Sequence, residues 1–188
     1  PVLVTGYYEP ILAAAPIRSE KYATPIYGYP QDVLEADLGE FRSELEGQKI
    51  RGRIEGSRIV PYWTRAEITT NAPLGGRGLE LAWAADPVDV FFLEVQGSGT
   101  LLFPDGTEKR VGYAGQNGHP YSSVGKTLID EGKIAADAIS MQAIRRYLRD
   151  HPNDVGRVLN QNASYVFFKE LCGPPEGSLG VPVTPQRS

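Results

Sequence analysis

Residues 112–121 form the most unusual stretch of the sequence and the first candidate for a binding site. In ten positions they hold three Gly, two side-chain amides, one His and two Tyr. Such a stretch offers few apolar side chains to a hydrophobic core, so we predict a surface loop that binds a polar ligand. The candidate binding residues here are Tyr113, Gly115, Asn117 and His119. His119 has no obvious partner for acid–base catalysis, and it is therefore assigned to binding.

The segment Gln96-Gly97-Ser98-Gly99 is the second candidate, predicted as a tight turn that follows a strand. Gly on both sides of Ser lets a ligand or another backbone approach closely. The four residues offer an amide, a hydroxyl and bare N–H groups together, although a plain β-turn or bulge fits the same letters. A serine-hydrolase elbow needs Gly two positions either side of the Ser, and those positions are Gln96 and Thr100. Nucleophilic catalysis by Ser98 is therefore excluded.

Thr5, Gly6, Tyr7 and Tyr8 form the third candidate site. They place two aromatic side chains beside a Gly. Aromatic faces stack on the apolar faces of sugar rings, and the Tyr hydroxyls can hydrogen-bond to the same ligand. In the alternative interpretation, one Tyr belongs to the core and the other to the surface.

Two other kinds of chemistry are not supported. Residues 125–127 (Gly-Lys-Thr) suggest a phosphate-binding loop, but the Gly required five positions earlier is Pro120, which lacks the backbone N–H. Asp86, Asp89 and Glu94 lie in one apolar segment without the i, i+2 spacing that would place two carboxylates on one face of a strand. We interpret each of them as a solvated or salt-bridged acid.

Composition excludes several further classes of binding site and partner. The chain has 188 residues, a net charge of -4, 41% hydrophobic residues, one Cys (Cys172) and two His (His119 and His151). An internal disulfide and the usual Cys/His zinc site are thereby excluded, and we expect no metal and no cofactor. The negative charge argues against a nucleic-acid partner. The sequence has no apolar run of about 18 residues, and its 21 Gly and 15 Pro indicate many turns between short strands.

The pattern along the chain predicts a β-rich first two-thirds, followed by helices and a last strand. Residues 11–32 are predicted as loop with one strand near 26–29, and Thr64 to Glu67 has the form of a capping box. Strands are predicted at 2–5, 33–38, 79–83, 88–95 and 164–168, with hairpins at 49–62 and 103–113. Helices are predicted from Ser122 or Ser123 to about 131, from Ser140 onwards and at about 153–160.

Several segments, in order and with compatible spacing over nearly the whole chain, resemble the membrane-bound lytic murein transglycosylase A family. They are residues 4–10 (VTGYYEP), 95–99 (VQGSG), 113–119 (YAGQNGH) running into 123–126 (SVGK), 140–145 (SMQAIR) and 162–168 (NASYVFF). The resemblance implies a double-psi β-barrel that includes residues 1–11 and 136–188, here incomplete. A small inserted β-barrel is then expected at 12–135, with a groove for a peptidoglycan strand.

The resemblance also implies an activity. The family cleaves the β-1,4 bond between N-acetylmuramic acid and N-acetylglucosamine without water, and leaves a 1,6-anhydro product. One carboxylic acid suffices, because the substrate supplies the nucleophile. The family's acid is an Asp in a C-terminal segment that no acid of this chain matches, so no catalytic residue is assigned. We expect this chain to bind glycan and to be inactive alone; a non-catalytic module for peptidoglycan or chitin oligosaccharides is the alternative.

Location and assembly rest on the same resemblance. It implies a lipid anchor outside the sequence and a place on the periplasmic face of the outer membrane of a Gram-negative bacterium, since Cys172 is internal. An incomplete barrel exposes unpaired strand edges, so self-association of the chain is expected.

Overall fold

The computed structural model describes residues 9–172, and strands predominate there. The strands are β1 (Ile11–Ala15), β2 (Thr24–Tyr27), β3 (Leu34–Asp37), β4 (Lys49–Glu55), β5 (Arg58–Pro61), β6 (Glu80–Ala84), β7 (Ser98–Leu102), β8 (Glu108–Gln116) and β9 (Val166–Glu170). The helices are α1 (Arg65–Asn71), α2 (Pro87–Gln96), α3 (Val124–Asp130), α4 (Met141–Asp150) and α5 (Val155–Leu159), with 3-10 turns at Leu38–Glu40, Ser43–Leu45 and Pro152–Asp154. The predicted class, mainly β with a few helices, is confirmed.

Six strands form a sheet that closes on itself. Their order is β2-β6-β1-β7-β8-β9, with β1 and β7 parallel and the other neighbours antiparallel. Gly28, just after β2, pairs with Phe168 of β9 in a parallel bridge and so joins the two outer strands. The bridge brings the two outer strands together at one point of their edges. The remaining strands form a separate sheet in the order β3-β4-β5.

Local signals in the sequence placed several elements correctly. The hairpin of β4 and β5 turns at Gly56, which has a φ of 61°, as the Glu-Gly-Ser signal predicted. Thr64 and Glu67 form the predicted capping box at the start of α1. Ser123 caps α3 and Ser140 caps α4. These predictions are confirmed because each depends on residues only a few positions apart.

The predicted strand at 88–95 is wrong, because this segment is helix α2. The side chain of Asp86 accepts a hydrogen bond from the Val88 N–H, Pro87 occupies the first turn, and Gly97 ends the helix with a φ of 80°. All three are helix-terminus features. The helix is apolar on nearly all sides since it is buried on both sides, so the sequence showed neither a helical nor a strand periodicity.

The predicted loop over residues 11–32 is also partly wrong. Ile11–Ala15 forms β1, in which Leu12 and Ala14 are buried, and the strand expected near residue 26 is β2. A run of Ala has low strand propensity, so the pairing of β1 with β6 and β7 outweighs the local preference. The strand predicted at 2–5 lies outside the described residues.

Helix α2 separates two apolar cores. Its residues Val90 and Leu93 pack into the barrel core with Leu12, Leu101 and Phe168. The opposite side of α2 packs with the helices α3, α4 and α5, through a second set of buried residues: Val88, Phe91, Phe92, Val124, Leu128, Ile144, Leu148, Val158 and Leu159. A third core under α1 contains Tyr27, Tyr62, Ile68, Leu74, Tyr165 and Phe167.

The predicted division at residues 135 and 136 stays a prediction. Strand β9, expected in one domain, is hydrogen-bonded to β8, expected in the other, through pairs from Val111 with Glu170 to Gln116 with Val166. Strands from both predicted parts therefore lie in one sheet. Among residues 9–172, no helix is long and apolar enough to cross a membrane.

Candidate functional site

A groove of about 440 Å³ lies where α2 ends and β8 meets β9; we call it the Tyr113 groove. Of the three candidate segments, residues 112–121 supply lining residues, whereas Gln96 to Gly99 do not. The lining residues are Glu94, Val95, Tyr113, Gln116, His119, Pro120, Tyr121, Ser164 and Val166. Tyr113 and Tyr121 are 49% and 56% exposed, so both rings are open to a ligand.

The segment 96–99 is the end of a helix and the start of a strand, not a turn after a strand. Gly97 is the left-handed cap of α2, and Ser98 begins β7 opposite Gly112 of β8. Tyr113 is the next residue along β8, so its side chain lies on the opposite face of the sheet from that of Ser98. Gln96, Gly97 and Ser98 are half-buried, so their contact with a ligand stays a prediction.

Gly99 has a packing reason to be glycine. It is buried, and a Cβ on it would lie 2.5 Å from Leu93 Cδ1 and 2.8 Å from the Pro10 carbonyl oxygen. Both distances are shorter than real Cβ contacts. The absence of a side chain therefore lets α2 and the start of the chain pack against β7, and contact of Gly99 with a ligand stays a prediction.

Residues 112–116 are strand and residues 117–121 are loop, so the predicted loop is wrong for the first half of this stretch. Strand β8 extends to Gln116, and its register with β9 shifts between Tyr113 and Gly115. Gly115 is buried, and a Cβ on it would collide with the ring of Tyr29. Gly115 therefore makes room for a neighbouring side chain, and its contact with a ligand stays a prediction.

Asn117 lies inside the molecule with no exposed surface, so the structure gives no support to the prediction that it touches a ligand. Its Nδ2 donates to the carbonyl oxygens of Trp63 (2.8 Å) and Ala163 (2.9 Å). Its Oδ1 accepts from the backbone N–H of Tyr165 (2.9 Å) and of His119 (3.4 Å). Both ends of the amide are thus used by the backbone, and Asn117 acts as a positioning residue for the groove wall.

His119 lines the groove, and its ring is held in place. Its Nε2 lies 2.7 Å from the carbonyl oxygen of Tyr62. A carbonyl can only accept, so Nε2 carries the hydrogen and, in the neutral ring, Nδ1 is the acceptor nitrogen. The ring is therefore oriented by the backbone before any ligand arrives.

An ion pair lies behind the groove. Arg65 donates to Glu94 at 2.6 Å and 3.1 Å, and the Val166 N–H donates to the same carboxylate at 3.0 Å. Arg65 also donates to the carbonyl oxygens of Asn162 and Ser164. Burial raises the pKa of the Glu94 carboxyl, while Arg65 and the Val166 N–H oppose that rise. The sequence left open whether Glu94 is solvated or salt-bridged, and the structure shows that it is salt-bridged.

The other two acids of that segment are engaged on the helix. Asp86 caps α2, and Asp89 forms an ion pair with Arg145 of α4. The guanidinium of Arg145 also lies 4.5 Å from the centre of the Phe92 ring. These acids therefore support the packing of α2 and lie outside the groove lining.

The predicted residues Thr5, Gly6, Tyr7 and Tyr8 lie outside the described residues, and their role stays a prediction. The first described positions connect directly to the barrel. Glu9 pairs with Arg110 at 3.2 Å, and the Pro10 carbonyl oxygen accepts from the Thr100 N–H at 2.9 Å. Residue 9 is thereby held beside β7 and β8.

The sequence did not identify several residues of the site. Tyr121 and Gln116 stand inside the stretch 112–121 and could have been added as exposed polar or aromatic neighbours. Arg65 gave no such signal, because its partners are 29 to 99 positions away along the chain. Contacts of that range do not follow from local patterns.

Comparison with known proteins identifies the family. The sequence model described as the MltA specific insert domain matches residues 3–169. The chain belongs to the MltA family. It is 34% identical over 190 aligned residues to the membrane-bound lytic murein transglycosylase A of Vibrio cholerae, and this alignment covers the whole chain. The chain spans only 44% of that relative's length.

Solved structures of MltA proteins have the same fold. The crystal structure of MltA from Neisseria gonorrhoeae has a TM-score of 0.84 and 37% identity, and the match covers 96% of this chain and 52% of that one. Escherichia coli MltA with bound chitohexaose has a TM-score of 0.73 and 35% identity, covering 95% of this chain and 46% of that one. The family resemblance inferred from sequence is thereby confirmed.

Proposed function

We propose that the intact protein is a peptidoglycan lytic transglycosylase and that this chain supplies much of its glycan-binding surface. Membership of the MltA family supports the activity, and the chitohexaose bound to the Escherichia coli relative supports a glycan ligand. One observation of this chain carries the proposal. The exposed ring of Tyr113 lies in a groove that also presents Gln116, His119 and Tyr121.

The groove suits a sugar chain physically. The rings of Tyr113 and Tyr121 provide flat surfaces for the apolar faces of pyranose rings, and hydroxyl and amide groups nearby can bind the sugar hydroxyls. We assign direct sugar contacts to Gln96, Ser98 and Tyr113. His119 contributes its oriented imidazole to the same wall.

The reaction we propose balances without water. The 6-hydroxyl oxygen of the muramoyl residue forms a bond to its own anomeric carbon, and the bond from that carbon to the glycosidic oxygen breaks. One carboxylic acid gives its proton to the leaving oxygen and takes the proton of the 6-hydroxyl. In the described lining of the Tyr113 groove the one carboxylate is Glu94, which is bound to Arg65. No residue of this chain is therefore assigned as the acid.

That engagement of Glu94 favours a second function for the chain by itself, namely glycan binding without cleavage. We propose that the 188-residue chain binds peptidoglycan or chitin oligosaccharides and releases no 1,6-anhydro product. We also propose, from the family alone, that the intact protein is anchored by a lipid and acts at the periplasmic face of the outer membrane. Self-association of the chain alone remains a proposal, which analytical ultracentrifugation tests.

Titration of the chain with chitohexaose, followed by isothermal calorimetry, tests the proposed function. Tyr113→Ala removes an exposed stacking ring, so we expect at least a tenfold loss of affinity, about the value of one stacked ring in aromatic recognition. Phe41→Ala is the matched control, since Phe41 is 74% exposed and does not line the groove. Equal affinities for both variants contradict the assignment.

Digestion of sacculi separates catalysis from binding. We expect 1,6-anhydromuropeptides, detected by mass spectrometry, from the intact protein and none from the 188-residue chain. Anhydro products made by this chain contradict the statement that its own acids do not catalyse. Their absence from the intact protein contradicts the proposed activity.

A further inference from the structure

A second and larger cavity, of about 840 Å³, lies between the barrel and α1; we call it the Trp83 cavity. It shares no lining residue with the Tyr113 groove. Its lining is mainly apolar with a few charged and hydroxyl groups: Arg18, Ala23, Thr24, Pro25, Tyr27, Ile68, Thr69, Ala72, Gly75, Gly76, Glu80, Trp83, Pro87 and Tyr165. Its volume lies within the range of small-molecule sites.

Two buried tyrosines in this lining have unused hydroxyl groups. Tyr27 and Tyr165 are 3% and 4% exposed, and their ring centres are 6.4 Å apart. Within residues 9–172, neither hydroxyl has a hydrogen-bond partner in the protein, and neither oxygen is among the fully buried atoms that lack one. Both hydroxyls therefore open onto the cavity, where a ligand can accept their hydrogen bonds. Burial raises the pKa of both, so both are donors at neutral pH.

The cavity also carries one charge of each sign. The Arg18 guanidinium lies 5.5 Å from the centre of the Trp83 ring, and the Glu80 carboxylate accepts a hydrogen bond from the Gly76 N–H at 3.1 Å. In the described part of the chain, neither forms an ion pair. Both charged side chains line the same cavity as Tyr27.

We propose that the Trp83 cavity binds a short peptide or amino acid, with Arg18 holding a carboxylate and Glu80 holding an ammonium group. Tyr27 and Tyr165 donate hydrogen bonds to its carbonyl or carboxylate oxygens, and the apolar wall formed with Ile68 receives its aliphatic carbons. A sugar suits this cavity less well. Arg18 covers a face of Trp83, and the faces of the two buried tyrosines are occupied by packing.

The source of such a ligand follows only if the proposed function is right. Peptidoglycan carries short peptide stems with free carboxylates and free amines, so the cavity would take a stem while the Tyr113 groove takes the sugar chain. The recognition itself rests on the cavity and is independent of that source.

Calorimetry of the purified 188-residue chain with the tripeptide L-Ala-γ-D-Glu-meso-diaminopimelate tests the inference. We expect binding, and at least tenfold weaker binding of the same tripeptide with its amines acetylated. Arg18→Gln and Glu80→Gln should each weaken binding about tenfold, the value of a hydrogen bond to a charged group. Tyr27→Phe and Tyr165→Phe keep the buried rings and should weaken it severalfold. Circular dichroism confirms that each variant is folded.

Tyr113→Ala is the matched control and should leave tripeptide affinity unchanged. The inference is overturned if the tripeptide fails to bind at millimolar concentration, if both charge variants bind like wild type, or if Tyr113→Ala abolishes binding. Chitohexaose binding without tripeptide binding overturns this inference and leaves the proposed function intact. The reverse result supports the peptide site and contradicts the proposed function.

Discussion

Arg65 and Glu94 form an ion pair of two hydrogen bonds in which both side chains are at most 5% exposed. The pair joins α1 to α2. Since Arg65 also donates to the Asn162 and Ser164 carbonyl oxygens, it ties both helices to the segment that leads into β9. Two walls of the Tyr113 groove are thereby fixed relative to each other.

Removing one member of this pair should strongly destabilise the fold. Glu94→Ala leaves the Arg65 charge buried without a counter-charge, and we expect a loss of about 3–5 kcal/mol in the free energy of unfolding. Urea denaturation measures it. Asp130→Ala is the control, because it breaks the exposed pair with Lys126 and should stay within about 1 kcal/mol of wild type. Similar losses for the two variants contradict the prediction.

Asn117→Ala should cost both stability and binding, although Asn117 touches no ligand. Its partners, including the Trp63 carbonyl oxygen and the Tyr165 N–H, would stay buried without hydrogen bonds. We expect a loss of about 2–3 kcal/mol, the cost of unsatisfied buried groups. Weaker binding of chitohexaose should persist at temperatures where the variant is fully folded. Unchanged affinity there contradicts the positioning role.

Gly115→Ala should destabilise the chain through one contact. The added Cβ collides with the ring of Tyr29, which packs edge-on against Phe167 at 5.8 Å between ring centres. We expect about 1–3 kcal/mol, as for overpacking. In the Tyr29→Ala background the same change should be nearly neutral, so a double-mutant cycle with urea denaturation measures the coupling. Equal costs in both backgrounds contradict the explanation.

The capping box of α1 gives stability a pH dependence of known sign. Hydrogen bonds from the Thr64 backbone N–H and hydroxyl lower the pKa of Glu67. A carboxyl with a lower pKa in the folded state stabilises the fold above its unfolded pKa, about 4.3, and this is lost as pH falls through the folded pKa. Between about pH 5 and 3, wild type should therefore lose more stability than Glu67→Gln, which caps without titrating. Parallel profiles in urea denaturation contradict this.

Local features of the fold could be predicted from the sequence, and long-range ones could not. The Thr64 capping box and the turn at Gly56 depend on three or four consecutive residues, so the local sequence was enough to predict them. The segment 88–95 was assigned to a strand because a helix buried on two sides has no polar face to reveal its period.

The candidate site divides in the same way. Tyr113 and His119 stand out by residue type and do line the groove. Asn117 stands out equally but is buried, because its partners at Trp63 and Ala163 come from segments 54 and 46 positions away. Residue type alone cannot distinguish a polar side chain that hydrogen-bonds to a ligand from one that hydrogen-bonds to the protein backbone.

Helix α2 is a wall common to the barrel core and the helical core. If either core loses its packing, one side of the ten-residue helix α2 becomes exposed. We therefore expect the two cores to unfold together, and the amides in the middle of α2 to be among the slowest to exchange with solvent.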